Sequence, residues 1–471
     1  MTDDLTPDLC VIGAGSGGLS VAAAAAAMGV SVVLVEKGKM GGDCLNYGCV
    51  PSKSLIAAGH VAQAMREAGR FGIRAVEPQV DLAATMRHVR EVIAEIAPND
   101  SQERFTSMGV TVIRAAGRFT GAKTLEAGGK TIRARRFVIA TGSSPALPPV
   151  PGIEQVRALT NESIFDLDTM PTRLVVLGGG PIGLELAQAF RRLGCDVVVL
   201  DIGKVLPRED PEFAELAAGQ LAREGVVLRE GVRIASVESH GPGVRVHLEG
   251  GETVDGSHLL VAAGRKANVH GLGLEAAGVR FTPKGIEVGP DLRSSNRRIY
   301  AIGDVAGGAQ FTHAANYHAG LVIRATLFRL RVRLQPHLVP RVTYTDPEIA
   351  VAGLSEAEAR QQHGKVRVLR WPFAENDRAQ AERRTAGHVK VVLARNGTIL
   401  GAGIVGPHAG ELIALWQMAV TRGLKIGAIA GLVLPYPTLS EASKRAAVTA
   451  FMPTLSSKWL RRLLGALRKF G

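Results

Sequence analysis

The chain has 471 residues, 46% hydrophobic and 21% charged, a soluble globular balance with room for about two to four domains and a core that needs no disulfide staple. Its net charge of +13 raises nucleic acid as a partner, but the basic residues are scattered except at the C-terminus and aromatics make up only 4%, so no nucleic-acid partner is expected. The opening "MTDDLTPDLC" has no apolar signal region and no apolar run approaches the roughly 18 residues of a membrane span; a cytoplasmic protein is expected.

The first predicted elements are a buried strand running into glycines, "LCVIGAGSGG" with Gly13, Gly15 and Gly18, then a helix pattern, then a strand "VSVVLVE" ending in Glu36. Strand, glycine turn, helix and acid in that order make a dinucleotide-binding βαβ unit. The glycines let the backbone approach a pyrophosphate at the helix N-terminus, and the carboxylate accepts from a ribose hydroxyl pair.

Next comes "CLNYGC", residues 44–49, which holds two of only four cysteines. Half a metal site, a structural clip and a redox disulfide all fit two thiols in one loop. Structural disulfides are rare in the cytoplasm, which weakens the clip. The remaining cysteines, Cys10 and Cys195, each lie in a strand-like run without a second thiol nearby, so no metal site is assigned. The redox reading stands ahead.

The fingerprint then recurs. "RLVVLGGGPIGLELAQAFRRLGCDVVVLD" carries Gly178, Gly180, Gly183 and Asp201, each 165 positions after its counterpart. Two units in one chain imply two dinucleotides, and beside a cysteine pair they suggest a relay from nicotinamide through flavin to thiols.

At this point the chain resembles the pyridine nucleotide–disulfide oxidoreductases: glutathione reductase, dihydrolipoamide dehydrogenase and mercuric reductase. The likeness rests on "GGDCLNYGCVPSKSL", "VIATGSSP" (138–145), "IYAIGDVAG" (299–307) and "VTYTDPEIAVAGLSE" (342–356), and covers about residues 5–455. It implies an α/β protein with two Rossmann-like dinucleotide-binding domains, for FAD and NAD(P), and a C-terminal α+β dimerisation domain. The implied boundaries are 1–150 and 271–335 for the FAD domain, 151–270 for the NAD(P) domain, 340–455 for the interface and 456–471 for a basic tail. The implied active unit is a homodimer.

By resemblance, Cys49 is the thiolate that faces the flavin and Cys44 the interchange thiol that meets the acceptor. Gly48 lets the backbone turn and Pro51 fits a first helical turn, which puts Cys49 at a helix N-terminus, where the dipole favours thiolate. Lys53 is expected near the flavin, paired with Glu185. Asp304 is expected on the ribityl chain, and Lys37, Gly42, Gly117, Thr141, Gly142 and Gly264 join the cofactor-binding set. His313 and His318 are read as helix-surface or packing residues.

Glutathione reductases place arginines for the 2′-phosphate of NADPH at the positions of Asp201 and Pro207; the departure favours NADH, while Lys204 and Arg208 keep NADPH open. Near the C-terminus the family carries H-P-x-x-x-E, a histidine proton acceptor oriented by a glutamate. Here "PYPTLSEASKRAA" retains Glu441 but places Tyr436 at the histidine. A phenol with an ordinary pKa near 10 is a poor acceptor at neutral pH. Thr438 and Glu441 also match a capping box.

A Pro-Tyr here, with "GPHAGELI" (406–413) and "REDPE" (208–212), resembles the mercuric reductase branch. Against mercury, the tail "SSKWLRRLLGALRKFG" has no cysteine pair and no metal-binding domain precedes the first fingerprint. Three acceptors therefore stay open: a small or protein-bound disulfide, a metal ion or electrophile, and a partner protein at a membrane. The tail itself is a basic amphipathic helix, read as packing on the dimer, contacting the inner face of a membrane peripherally, or docking on a partner.

Overall fold

The computed structural model describes residues 4–455 and 457–470. The chain forms two compact units, Met1–Val205 with Gly225–Pro336, and Leu206–Glu224 with His337–Gly471.

Two five-stranded parallel sheets organise the first unit. One runs Ile299–Ala301, Arg136–Ile139, Leu9–Ile12, Val32–Val35, Thr111–Ile113; the other runs Ala158–Leu159, His258–Val261, Arg173–Leu177, Asp196–Leu200, Val227–Arg229. The sequence repeat extends to strand register. Leu9 pairs with Val32 and Arg136, and Leu174 pairs with Val197 and His258; Val33 pairs with Thr111, and Val198 with Val227. The edge strands differ in origin: in the first sheet the chain returns at Ile299, and in the second it has already passed at Ala158.

These strands are near-continuous aliphatic runs because helices or smaller sheets cover both faces. Along Leu9–Ile12 every residue is buried. Leu9 and Val11 pack with Leu19, Ala22 and Val322 on the side of the helices Ser16–Ala27 and Thr312–Thr326. Cys10 and Ile12 face the other way, onto Phe119, Phe137 and Leu125. Burial pushes the Cys10 thiol well up and Cys195 up to about 12, so both are core residues, as their strand-like settings suggest.

The second unit is a five-stranded antiparallel sheet ordered Arg341–Thr343, Glu348–Gly353, Ile399–Gly406, His388–Leu393, Arg367–Pro372. Helices Ala409–Thr421 and Glu441–Thr449 pack on it, joined where the buried Trp416 Nε1 donates to Ser443 Oγ at 3.0 Å. A helix from mid-chain, Pro211–Arg223, also belongs here. The buried Lys390 ammonium holds it, reaching Asp210 at 2.6 Å, Glu212 at 2.9 Å and Glu356 at 3.0 Å. A buried cation persists only when paired in this way. Arg370, hydrogen-bonded to Glu212, brings that carboxyl down to about 2, with Lys390 adding to the effect.

The C-terminal helix Lys458–Leu467 presents Trp459, Leu463, Leu464 and Leu467 to solvent. Among the described residues no helix is long and apolar enough to cross a membrane.

Candidate active site

Both fingerprints close the same way. Gly13 and Gly178 have positive φ, and a Cβ on either would collide with the carbonyl of Ala140 or Ala262, just past the end of the neighbouring strand. A Cβ on Gly18 or Gly183 would collide with the carbonyl of Gly13 or Gly178. The middle glycines differ. A Cβ on Gly180 meets nothing within 4 Å and one on Gly15 meets only Gly42 Cα at 3.9 Å. The protein does not need those two positions small for its own packing. Each opens a cradle at the N-terminus of a helix, Ser16–Ala27 or Pro181–Arg192, where amides and dipole favour a phosphate. The cradles fit two dinucleotides.

The strand-end acids serve the same loops. Glu36 accepts from the amides of Ala14 and Gly38, both at 2.6 Å. Asp201 accepts from Gly179 at 2.6 Å and Gly203 at 2.7 Å. Each carboxylate thus braces its glycine turn through both of its oxygens. Lys37 and Lys204 are exposed beside them.

The other cofactor-set residues divide. Gly42 has positive φ and lies against Gly15, where any Cβ would meet Gly15 Cα at 2.7 Å. Thr141 is locked to Asn268 by a reciprocal pair, Thr141 Oγ1 donating at 2.8 Å and Asn268 Nδ2 returning at 2.9 Å. Gly142 and Gly264 have positive φ and open space. Gly117 sits under Val35, 3.2 Å from an added Cβ, in a strand of the smaller four-stranded sheet; packing accounts for that glycine. Asp304 is half-buried and accepts from Ser143 Oγ at 2.6 Å. Burial raises its carboxyl pKa, against the Ser143 bond and the nearby Arg265 charge.

Cys44 lies in the short helix Gly42–Asn46, and Cys49 is the first residue of the helix Cys49–Glu67. Cys49 Sγ stands 3.4 Å from Thr312 Oγ1, at the start of the helix Thr312–Thr326. The thiols differ sharply. A hydrogen bond from Cys44, aided by Thr312 and the Lys53 charge, brings Cys49 down to about 6 against burial and the Asp43 carboxylate. The same bond, with burial, pushes Cys44 far up. In the dithiol form one thiolate resides on Cys49 and one proton on Cys44.

Lys53 Nζ is 2.7 Å from Glu185 Oε2, which joins the redox helix to the second fingerprint helix. His318 is buried and accepts from the Gly303 amide at 3.2 Å, while His313 is exposed and stacked on Phe311. His318 thus packs inside the helix layer and His313 lies on the helix surface.

Tyr436 and Glu441 lie in the second unit. Tyr436 is exposed and donates its hydroxyl to Asp377 Oδ2 at 2.8 Å. That bond raises the phenol pKa further, with Glu441 adding to it. The expected capping box is not formed. Helix Glu441–Thr449 has Ser440 at its N-cap without a side-chain cap bond, and Thr438 Oγ1 donates back to Pro435 O at 2.9 Å. The helix begins later than that spacing requires: Ser440 is the N-cap and Glu441 the first residue, and Thr438 reaches it only through its carbonyl, which accepts from the Glu441 amide at 3.3 Å.

Asp43, Asn161, Ser143, Arg265, Thr312 and Asp377 escaped the sequence reading. Asp43 and Ser143 lie inside the quoted motifs and Arg265 follows Gly264, so adjacency could have flagged them. Nothing in the sequence pairs positions 43, 161 and 265.

Comparison with known proteins agrees with this geometry. Residues 7–319 match the family model described as pyridine nucleotide-disulphide oxidoreductase, and residues 339–447 match that family's dimerisation domain. Among curated relatives, a mercuric reductase of Bacillus cereus is 35% identical over 448 residues, covering 94% of this chain and 71% of that protein. A dihydrolipoyl dehydrogenase of Thermus scotoductus is 36% identical over 457 residues, covering 94% and 97%. Among solved structures, LpdA from Mycobacterium tuberculosis superposes with a TM-score of 0.88 at 29% identity, covering 95% and 99%. The Cu(II) complex of the HOCl-induced flavoprotein disulfide reductase RclA from Escherichia coli gives 0.83 at 26%, covering 93% and 98%.

Proposed function

The chain belongs to the pyridine nucleotide–disulphide oxidoreductases, and from that premise we propose that it reduces a disulfide acceptor through Cys44 and Cys49, with NADH as electron donor. The observation that carries this reading is the pair itself: two free thiols flanking the start of one helix, with Cys49 as its first residue, Cys49 drawn down toward thiolate and Cys44 pushed up.

Bound in the Gly13–Gly18 cradle, FAD supplies the two-electron link between the nicotinamide and the cysteine pair. The chain's residues prepare the rest. Asp304, fixed by Ser143, and the Thr141–Asn268 lock shape the flavin site. Lys53, oriented by Glu185, places a cation beside it. Asp201 offers a ribose-hydroxyl acceptor and would repel a 2′-phosphate.

In the acceptor half, Cys44 gives up its proton and attacks one sulfur of the acceptor. The acceptor S–S bond breaks, and the first thiol leaves with a proton. Cys49 thiolate then attacks Cys44, closing the disulfide and releasing the second thiol with a second proton. Tyr436 keeps its own proton on the bond to Asp377, so solvent supplies these protons and acceptors with good leaving thiols are favoured. In the homodimer that the dimerisation domain supports, Tyr436 and Glu441 serve the partner subunit's cysteine pair.

A second reading of the acceptor is a thiophilic metal ion. Tyr436 donates its only proton to Asp377, which leaves the oxygen's lone pairs facing outward, and such an acceptor needs no incoming proton. Initial rates of NADH oxidation with oxidised lipoamide, glutathione disulfide and Hg(II) decide between the two. Turnover with disulfides alone supports the first reading, and turnover with Hg(II) alone the second.

A further reading concerns location. The exposed apolar residues of helix Lys458–Leu467 lie opposite Lys458, Arg461 and Arg462, as in a helix resting on an anionic bilayer.

A further inference from the structure

A chain of polar contacts connects the cysteine loop to Asp304. Asp43 immediately precedes Cys44. Its Oδ2 is 3.2 Å from Arg265 Nη2, and its Oδ1 accepts from Asn161 Nδ2 at 3.1 Å. Asn161 also holds the Tyr47 carbonyl at 3.2 Å, so it clasps the Cys44 segment at both ends. Arg265 donates through Nε to Ser143 Oγ at 2.8 Å and through Nη2 to the Ser143 carbonyl at 2.9 Å. Ser143 Oγ in turn donates to Asp304 Oδ2 at 2.6 Å. Arg265, Ser143 and Asn161 are all buried or nearly so, so the charges are only partly screened.

We propose that Asp43 and Arg265 are positioning residues whose ion pair sets how readily the Cys44–Cys49 disulfide is reduced. The inference rests on the reading of those cysteines as the redox pair. Reduction breaks the S–S bond, adds two electrons and one proton, and leaves the proton on Cys44 and the charge on Cys49. Any fixed charge near Cys49 therefore weights the reduced state alone. Four neighbours act on Cys49: Cys44 and Thr312 by hydrogen bonds, Lys53 as a cation and Asp43 as an anion. Lys53 is itself tied to Glu185. Asp43 alone among them opposes the thiolate electrostatically, and Arg265, 3.2 Å from that carboxylate, offsets part of that opposition. A residue whose only role is to hold the loop would behave differently: loss of either partner would loosen the loop in the same way.

The test is equilibration of the FAD-loaded protein with dithiothreitol redox buffers, with protein thiols counted by alkylation and mass spectrometry. Asp43→Asn should move the midpoint toward the dithiol by about 3-fold in the buffer ratio, and Arg265→Gln should move it the other way by a similar factor. The pH of half-maximal alkylation of Cys49 should fall in the first and rise in the second. Arg265→Lys, which keeps the charge, should stay near wild type on both readouts. Shifts of the same sign, or none, overturn the proposal. Should Arg265→Gln fail to fold, Asp43→Asn decides alone: a shift toward dithiol supports it, and no shift or the reverse overturns it. If wild-type Cys44 and Cys49 never interconvert between disulfide and dithiol, the functional reading itself has failed.

Discussion

Lys53 and Glu185 are 132 positions apart, yet their side chains meet at 2.7 Å, with the carboxylate almost fully buried and the ammonium about one-third exposed. The contact fixes a cation from the redox helix by an acid from the second fingerprint helix. Lys53→Met should slow reduction of the flavin by NADH about 10²-fold, and Glu185→Gln should slow it less because the lysine remains. Stopped-flow mixing with NADH checks both. A Lys53→Met enzyme that reduces at the wild-type rate removes the lysine from the mechanism.

The asymmetry of the thiols sets a pH dependence. Cys49 is brought down to about 6, so its thiolate is present above that pH and is lost as pH falls through it. Alkylation of the reduced protein at Cys49 should rise with pH around 6, and Cys44 should react only at much higher pH. A thiolate beside oxidised flavin should give a long-wavelength absorbance when the FAD-loaded protein is reduced, and this band should persist in Cys44→Ser and vanish in Cys49→Ser. If the band survives in Cys49→Ser, the two roles are exchanged.

NADH should exceed NADPH in kcat/KM, because Asp201 accepts hydrogen bonds and repels phosphate. The carboxylate also braces the amides of Gly179 and Gly203, so Asp201→Arg should lower the NADH value while narrowing or inverting the ratio. Wild-type preference for NADPH would sink this reading of Asp201.

Tyr436→His should raise the rate with lipoamide or glutathione disulfide. The imidazole would bring an acceptor that titrates near neutral pH, with both Asp377 and Glu441 in its neighbourhood. General acid–base assistance is typically worth about 10²–10⁴-fold, and a substantial part should return. Unchanged rates would mean that pocket shape, not proton transfer, excludes those disulfides.

The two fingerprints, the cysteine pair and the Lys53–Glu185 contact were legible in the sequence because each is a local pattern or a matched motif. Even the register of the central strand pair in each parallel sheet follows the 165-residue repeat. What escaped was long-range. Arg265, Asn161 and Asp43 converge from three segments, and no periodicity marks a polar contact between them. Asp377 was missed for the same reason, as it meets Tyr436 from 59 positions away. The Thr438–Glu441 pattern misled because a capping box depends on the backbone at the N-cap, which the residue spacing alone does not specify.

The C-terminal helix should bind vesicles rich in anionic lipid at low salt and leave them at high salt, each basic residue contributing about 1 kcal/mol near the surface. Co-sedimentation of the full chain against one ending at Leu455 checks this. If both stay in the supernatant at low salt, lipid is not the partner; if truncation also dissociates the dimer, the helix packs between subunits.

The central claim is that electrons from NADH reach Cys44 and Cys49. The direct measurement is an anaerobic incubation of the oxidised FAD-loaded protein with one equivalent of NADH per subunit, followed by alkylation under denaturing conditions and peptide mass spectrometry. The account predicts two new alkyl groups, on Cys44 and Cys49, with Cys10 and Cys195 labelled equally with and without NADH. Oxidation of NADH with no new label at Cys44 and Cys49 would contradict it.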